Sequence, residues 1–333
     1  MLHIPINSIL TYSNSWRQSL QLPIATTIDW SLIREMELFA SSKLNSNITG
    51  FLTTDFEVDG LALLEEKAGQ LSFFNYLQDR MLIEAELYFD HRADTLMLEN
   101  IAAPYFVRDQ QPVIIFAVMS LLARILRKEH PKANFGIQIL AFGENQAMDI
   151  AVRHGFSFIR GESLLFGGMR PEGITPNKGN LAKLNLQRNM LMDTVGLKGQ
   201  RPPNIYIDLQ KKHTIFNDSL ATLDTWLENL LFLKLEGIIL TGSATGKETH
   251  VADIMSSHET IINLIQKTKK YIATDWNPEI IVGSGATSQN LKEYKKYASA
   301  VIVGSSLKEN GYWECPLDQM RLEEFMSEWY KGV

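Results

Sequence analysis

The sequence predicts an α/β fold: a (β/α)8 barrel with a small α/β subdomain inserted after its first strand. Three observations carry this. Short apolar, β-branched runs alternate with longer segments of helical apolar spacing, the pattern of parallel strands joined by crossover helices. The last two runs, Ile280 to Val282 and Val301 to Val303, each stop at a glycine-serine turn, Gly283-Ser284-Gly285 and Gly304-Ser305-Ser306. Finally, 333 residues suit a single barrel domain, since α/β barrels often exceed ordinary domain size.

In chain order, Leu2 to Ile6 reads as strand one. The next barrel strand, Thr95 to Leu98, is too distant for a single crossover, so residues 16–70 are expected to form the inserted subdomain. Within it Trp30 to Ser41 is spaced as a helix, while Ile48 to Thr53 and Leu61 to Leu64 read as strands. Phe73 to Phe89 is then the first barrel helix. Strands follow at Phe135 to Leu140, Phe156 to Arg160, Asn204 to Asp208 and Gly237 to Thr241, before the two that end in glycine-serine turns. Helices fall between them at Val113 to Lys128, Glu144 to His154, Leu181 to Val195, Leu220 to Leu233 and Glu259 to Tyr271. Thr287 is placed to cap a further helix running through Leu291 and Tyr294.

A hydrophobic fraction of 45% against 21% charged residues belongs to a globular chain with a sizeable core. The net charge of −6 argues against a broad nucleic-acid surface, which needs clustered Lys and Arg. The single cysteine, Cys315, allows no internal disulfide and no cysteine-rich zinc site, which fits a reducing compartment. The opening MLHIPINSIL has no basic region before its apolar residues and no Arg-rich amphipathic pattern, so neither a signal nor a transit peptide is read and a cytoplasmic location is expected. The longest apolar run, Val113 to Leu126, is interrupted by Ser120 and Arg124 and is too short to span a bilayer.

Candidate site residues lie at the predicted carboxyl ends of strands, where barrel chemistry is found. Gly283, Ser284, Gly285, Gly304, Ser305 and Ser306 are the expected phosphate site, because glycine turns bring backbone N–H groups close to an anion and a helix N-terminus adds positive potential. Asp208, Lys212, His213 and Glu99 are the candidate catalytic set: His213 or Asp208 as base, Lys212 for a developing oxyanion, Glu99 as a further acid or base. Arg160, whose guanidinium can clamp an anion in two-pronged fashion, joins Thr241, Gly242 and Lys308 as substrate-binding. An alternative pairs Glu99 with Arg160 as a structural salt bridge. The seven histidines show no HExxH or HxH spacing, so no metal site is read, and no cofactor is assigned. Thr241 to Lys247 is not a P-loop, since Gly242 and Gly246 stand one residue too close.

Several of these motifs together resemble the BtpA/SgcQ family: Leu98-Glu99-Asn100 with Pro104-Tyr105-Phe106, Phe158-Ile159-Arg160, Asp208 with Lys212-His213, Thr241-Gly242 with Thr245-Gly246, Gly283 to Thr287 with Asn290, and Val303 to Lys308 with Gly311. Met1 to Pro5 is similar to that family's opening strand. The resemblance implies a (β/α)8 barrel and, through a photosystem I biogenesis factor among its members, a role in assembly as an alternative to catalysis. Two positions depart from the family pattern. Ala141-Phe142-Gly143 stands where Arg-Asn-Asp is usual, and Glu162 replaces an Asn two residues after Arg160.

The expected function is a BtpA-like barrel binding a small phosphorylated metabolite, a sugar phosphate or nucleotide. Isomerase, lyase and glycosidic-bond hydrolase chemistry are all open. The alternative is a non-catalytic assembly factor that engages a protein partner through residues 16–70. A homo-oligomer is compatible with either.

Overall fold

A computed structural model describes residues 2–5, 72–100, 113–140, 143–162, 168–170, 173–174, 181–197, 199–209, 215–216, 222–242, 248–269, 277–313 and 315–331. Eight parallel strands form one sheet in the order β1 (Leu2–Pro5), β2 (Thr95–Glu99), β3 (Asn134–Gln138), β4 (Phe158–Glu162), β7 (Asn204–Asp208), β9 (Gly237–Leu240), β10 (Glu279–Val282) and β11 (Ala300–Val301). Successive strands of this sheet pair in parallel and are separated by helices, which is the winding of a (β/α)8 barrel.

The described helices are α1 (Ser72–Asp90), α2 (Val113–Glu129), α3 (Glu144–His154), α4 (Leu181–Thr194), α5 (Leu223–Leu233), α6 (Val251–Lys269), the single turn α7 (Leu291–Tyr294) and α8 (Gln319–Tyr330). Most predicted boundaries hold to within three residues; α6 starts eight residues before its predicted Glu259, and α7 is a single turn. Thr287 contributes to the entry of α7 by accepting from Asn290 N at 3.3 Å, while Asn290 occupies the cap position itself. The helix predicted at Trp30 to Ser41 and the strands at Ile48 to Thr53 and Leu61 to Leu64 lie outside the described residues, as does the whole 16–70 segment.

Alternation along each strand builds two cores. Side chains facing outward, such as Leu96, Ile137, Ile159, Ile205, Ile238, Ile280 and Val301, join the helices in one large cluster. Those facing inward, Met97, Phe158, Tyr206, Ile239, Ile281 and Ile302, fill the barrel interior. The filling depends on a gap in β3. A Cβ on Gly136 would stand 1.8 Å from Phe158 Cζ, so the phenyl ring lies where any other residue would place its side chain.

The two ends of the fold are tied together by polar contacts. Lys308, after β11, places Nζ 2.7 Å from Glu84 Oε2 of α1, with both side chains buried. Tyr330 OH of α8 donates to Arg92 O at 2.6 Å just beyond α1.

Beyond the predicted pattern, a three-stranded antiparallel sheet in the order β6 (Gly173–Ile174), β5 (Gly168–Arg170), β8 (Ile215–Phe216) links the connections that follow β4 and β7. Its strands are two or three residues long.

Candidate functional site

The inward alternation that gives the barrel its apolar filling turns polar at the carboxyl ends of the strands. Glu99 ends β2, Gln138 ends β3, Arg160 and Glu162 belong to β4, and Asp208 ends β7; all are buried. Register sets Glu99 directly across from Gln138, Arg160 across from Tyr206, and Glu162 across from Asp208.

Arg160 and Asp208 form the central pair. The guanidinium donates from Nε to Oδ1 at 3.1 Å, and from Nη2 to Oδ1 at 3.0 Å and to Oδ2 at 3.2 Å. Burial alone pulls the Arg160 pKa down, but Asp208, Glu99 and Glu162 together hold it above its ordinary value, so the cation is permanent. Asp208 is the bidentate partner of Arg160, and Glu99 adds to the field that keeps the guanidinium charged. Nη1 makes no described hydrogen bond. The side chain reaches across the mouth to β10, where a Cβ on Gly283 would lie 3.4 Å from Arg160 Nη2.

A second layer orients the first. Gln138 Nε2 donates to Glu162 Oε1 at 3.0 Å, and Glu162 N donates to Glu144 Oε1 at 3.1 Å at the start of α3. Asn100 brackets the end of the next strand, donating from Nδ2 to Leu140 O at 2.8 Å and accepting from Leu140 N at 2.6 Å.

The glycine turns after β10 and β11 adjoin each other. Ser306 Oγ donates to Ala286 O at 2.6 Å, joining the two loops. Ser284 Oγ accepts from Gly242 N at 2.8 Å, and Thr249 Oγ1 donates to Ser284 O at 3.1 Å, so the loop after β9 supports the turn from behind. Asn290 Nδ2 donates to Gly285 O at 2.9 Å, and its Oδ1 accepts from Thr287 N at 2.8 Å. Gly285 itself has φ 73°, a conformation that a side chain disfavours. Among the described hydrogen bonds, none is donated by the backbone amides of Gly285, Ala286, Ser305 or Ser306.

The predicted site residues thus fall into separate groups. Glu99, Arg160 and Asp208 meet at one side of the mouth, and Gly283 to Gly285 with Gly304 to Ser306 meet at the other, bridged by Arg160. Thr241 continues the inward face of β9, and the Gly242 amide serves the Ser284 hydroxyl. Lys212 and His213 lie outside the described residues, between Asp208 and β8. Lys308 is 0% exposed and its ammonium is bound to Glu84, with burial lowering its pKa against the pull of that carboxylate.

Gln138 and Glu144 are absent from the sequence-derived set. The signal for Gln138 is its place as the last inward residue of β3, which a strand extended to Leu140 obscures. An open cavity of about 560 Å³, lined in part by Asn134, Asn204, Tyr206 and Glu279, sits at the opposite, amino-terminal end of the strands, away from all these groups. Among the described residues no three His, Cys, Asp or Glu side chains are arranged to hold a metal ion, and no helix is long and apolar enough to cross a membrane.

Similar proteins extend this picture. An uncharacterized, mitochondrial protein of Caenorhabditis elegans is 27% identical over 73% of this chain and 80% of its own length. The photosystem I biogenesis protein BtpA of Synechocystis is 27% identical over 72% of this chain and 75% of its own length. Among solved structures, phosphoribosyl anthranilate isomerase from Thermus thermophilus aligns with 74% of this chain and 93% of its own at a TM-score of 0.41 and 11% identity, too distant to carry a functional argument. The sequence model of the BtpA family matches residues 72–331, a span that holds all the described barrel elements except β1, and the chain belongs to the BtpA family.

Proposed function

We propose that this barrel binds a small phosphorylated metabolite, a sugar phosphate or nucleotide, at the mouth formed by the carboxyl ends of its strands. The phosphate rests on Gly283, Ser284, Gly285, Gly304, Ser305 and Ser306. The observation that carries the reading is the donor capacity of the paired turns: the amides of Gly285, Ala286, Ser305 and Ser306 give no described hydrogen bond to the protein. Arg160 supports it, since its Nη2 lies beside Gly283 and its Nη1 is not committed to Asp208. Backbone amides without a described acceptor and a guanidinium close to the same turn favour an anion.

In this reading Asp208 fixes Arg160, and Glu99 with Lys212 and His213 moves protons at the reacting end of the ligand. The reaction class is an isomerisation, a lyase reaction or hydrolysis of a glycosidic bond. The test is thermal stabilisation of the full chain by inorganic phosphate and a panel of sugar phosphates and nucleotides. A ligand at a hundred times its dissociation constant should add about 2.7 kcal/mol. Ser305→Asp should abolish the effect by placing a carboxylate at the amides without touching the constrained Gly285. Absence of any stabilisation, including by inorganic phosphate, would sink the proposal.

A second reading rests on the family match beginning at residue 72, which leaves residues 16–70 outside it. We propose that this segment, an inserted α/β subdomain, docks a protein partner in the cytoplasm and that the chain acts as an assembly factor. A partner that co-purifies with the full chain and persists after deletion of residues 16–70 would refute it.

A further inference from the structure

Among the described residues, one buried group at the mouth is left without a partner. Gln138 is 1% exposed, and its Nε2 is committed to Glu162 Oε1 at 3.0 Å, which fixes the orientation of the amide. The other end, Oε1, is buried and accepts no hydrogen bond. Protein interiors rarely leave such an oxygen unfilled, because its desolvation is then uncompensated.

The surroundings of Gln138 say what would fill it. Glu99 lies directly across from it on β2, Glu162 is bound to it, and Asp208 stands beside Glu162 on β7. Carboxyl oxygens carry several lone-pair directions each, so this wall is rich in hydrogen-bond acceptors. Among the described residues, the donors on it are the Gln138 amide nitrogen, spent on Glu162, and Arg160, spent largely on Asp208. A ligand that satisfies this wall must bring O–H or N–H groups at the end remote from its phosphate.

We propose that Gln138 Oε1 accepts a hydrogen bond from a ligand hydroxyl, and that the wall of Glu99, Gln138 and Glu162 selects a phosphate ester of a polyhydroxylated chain or ring, a sugar phosphate. The inference rests on the phosphate site proposed above and narrows its ligand. Inorganic phosphate or a simple alkyl phosphate would fill the glycine turns and leave Oε1 bare, whereas a sugar hydroxyl reaches both ends. Gln138 is on this account a specificity-determining residue.

Calorimetric titration of the full chain with ribose 5-phosphate, glucose 6-phosphate, n-pentyl phosphate and inorganic phosphate tests this directly. At least one sugar phosphate should bind roughly tenfold or more tightly than n-pentyl phosphate, the order expected for one or two added hydrogen bonds. Gln138→Met, which keeps the volume but loses the amide, should erase about tenfold of that preference and leave alkyl phosphate and inorganic phosphate affinities unchanged. If n-pentyl phosphate matches both sugar phosphates, or the variant keeps the full preference, the hydroxyl subsite is wrong while the phosphate site stands. If none of the four binds, the phosphate reading falls and this one with it. Should Gln138→Met fail to fold, the comparison of ligands on the unaltered protein still separates a hydroxyl subsite from a bare phosphate site.

Discussion

Arg160 and Asp208 lock together across two neighbouring strands through three N–H···O contacts of 3.0 to 3.2 Å, 48 residues apart in sequence and buried at the barrel mouth. Removing one partner of such a pair leaves a charge in a place where water cannot repair the loss. Asp208→Ala is therefore expected to destabilise the fold by about 3–5 kcal/mol, read from the urea midpoint. Replacing both residues together, Arg160→Met with Asp208→Leu, should recover most of that stability while losing anion binding. A single variant as stable as the parent would show that the pair does not bear on folding.

The barrel filling makes a sharper demand. Gly136→Ala would drive a methyl group into the Phe158 ring, and overpacking of this kind costs on the order of 1–3 kcal/mol, more where neither side can move. Thermal unfolding should show a lower midpoint for Gly136→Ala and partial recovery when Phe158→Leu is added. Additive losses in the double variant would contradict the contact.

His154 predicts a pH response. Burial, reinforced by the nearby Arg124, Arg153 and Arg127, lowers its pKa from 6.5 to about 4, while its Nε2 lies 2.9 Å from Ser120 Oγ. A depressed folded pKa means the neutral ring is preferred in the native state. The associated stability is fully present above pH 6.5 and is lost as pH falls through about 4, amounting to on the order of 2–3 kcal/mol. Urea titrations at pH 7 and pH 4 should show a smaller drop in His154→Gln than in the parent; equal drops would assign the acid sensitivity elsewhere.

Asn290 shapes the glycine turn from the side, holding Gly285 O and Thr287 N with its two ends and also meeting Glu248 Oε1 at 3.0 Å. Asn290→Ala should weaken phosphate binding about tenfold with a modest loss of stability, since the turn loses bonds at both of its ends. Asn290→Asp keeps only the acceptor and should fall between Asn290→Ala and the parent. Phosphate affinity indifferent to both changes would separate the turn's shape from binding.

The strands are legible in the sequence because β-branched runs such as Ile280 to Val282 end at glycines, and the helices because their apolar spacing is regular. Strand ends are less so. Ile139 and Leu140 continue the apolar run of β3, so nothing local marks Gln138 as its last residue, and β4 likewise runs two residues past its predicted end to Glu162. The small β5, β6 and β8 sheet leaves no trace in the pattern because strands of two or three residues carry no periodicity. The Arg160–Asp208 bond is hidden for a different reason: both residues read as functional, and which charge meets which depends on register between strands. Lys308 illustrates the limit of a motif, since a lysine after a glycine turn reads as a ligand group, while here its ammonium is turned back onto Glu84.

That last contact joins residues 224 positions apart, the first described barrel helix to the loop after the last strand. During synthesis α1 leaves the ribosome long before its partner exists, and Glu84 must wait for the 224 residues that follow it up to Lys308. This contact can therefore form only once every barrel strand has been made, and chains stopped before Lys308 should leave the opening helix without this buried partner and exposed to proteases and chaperones.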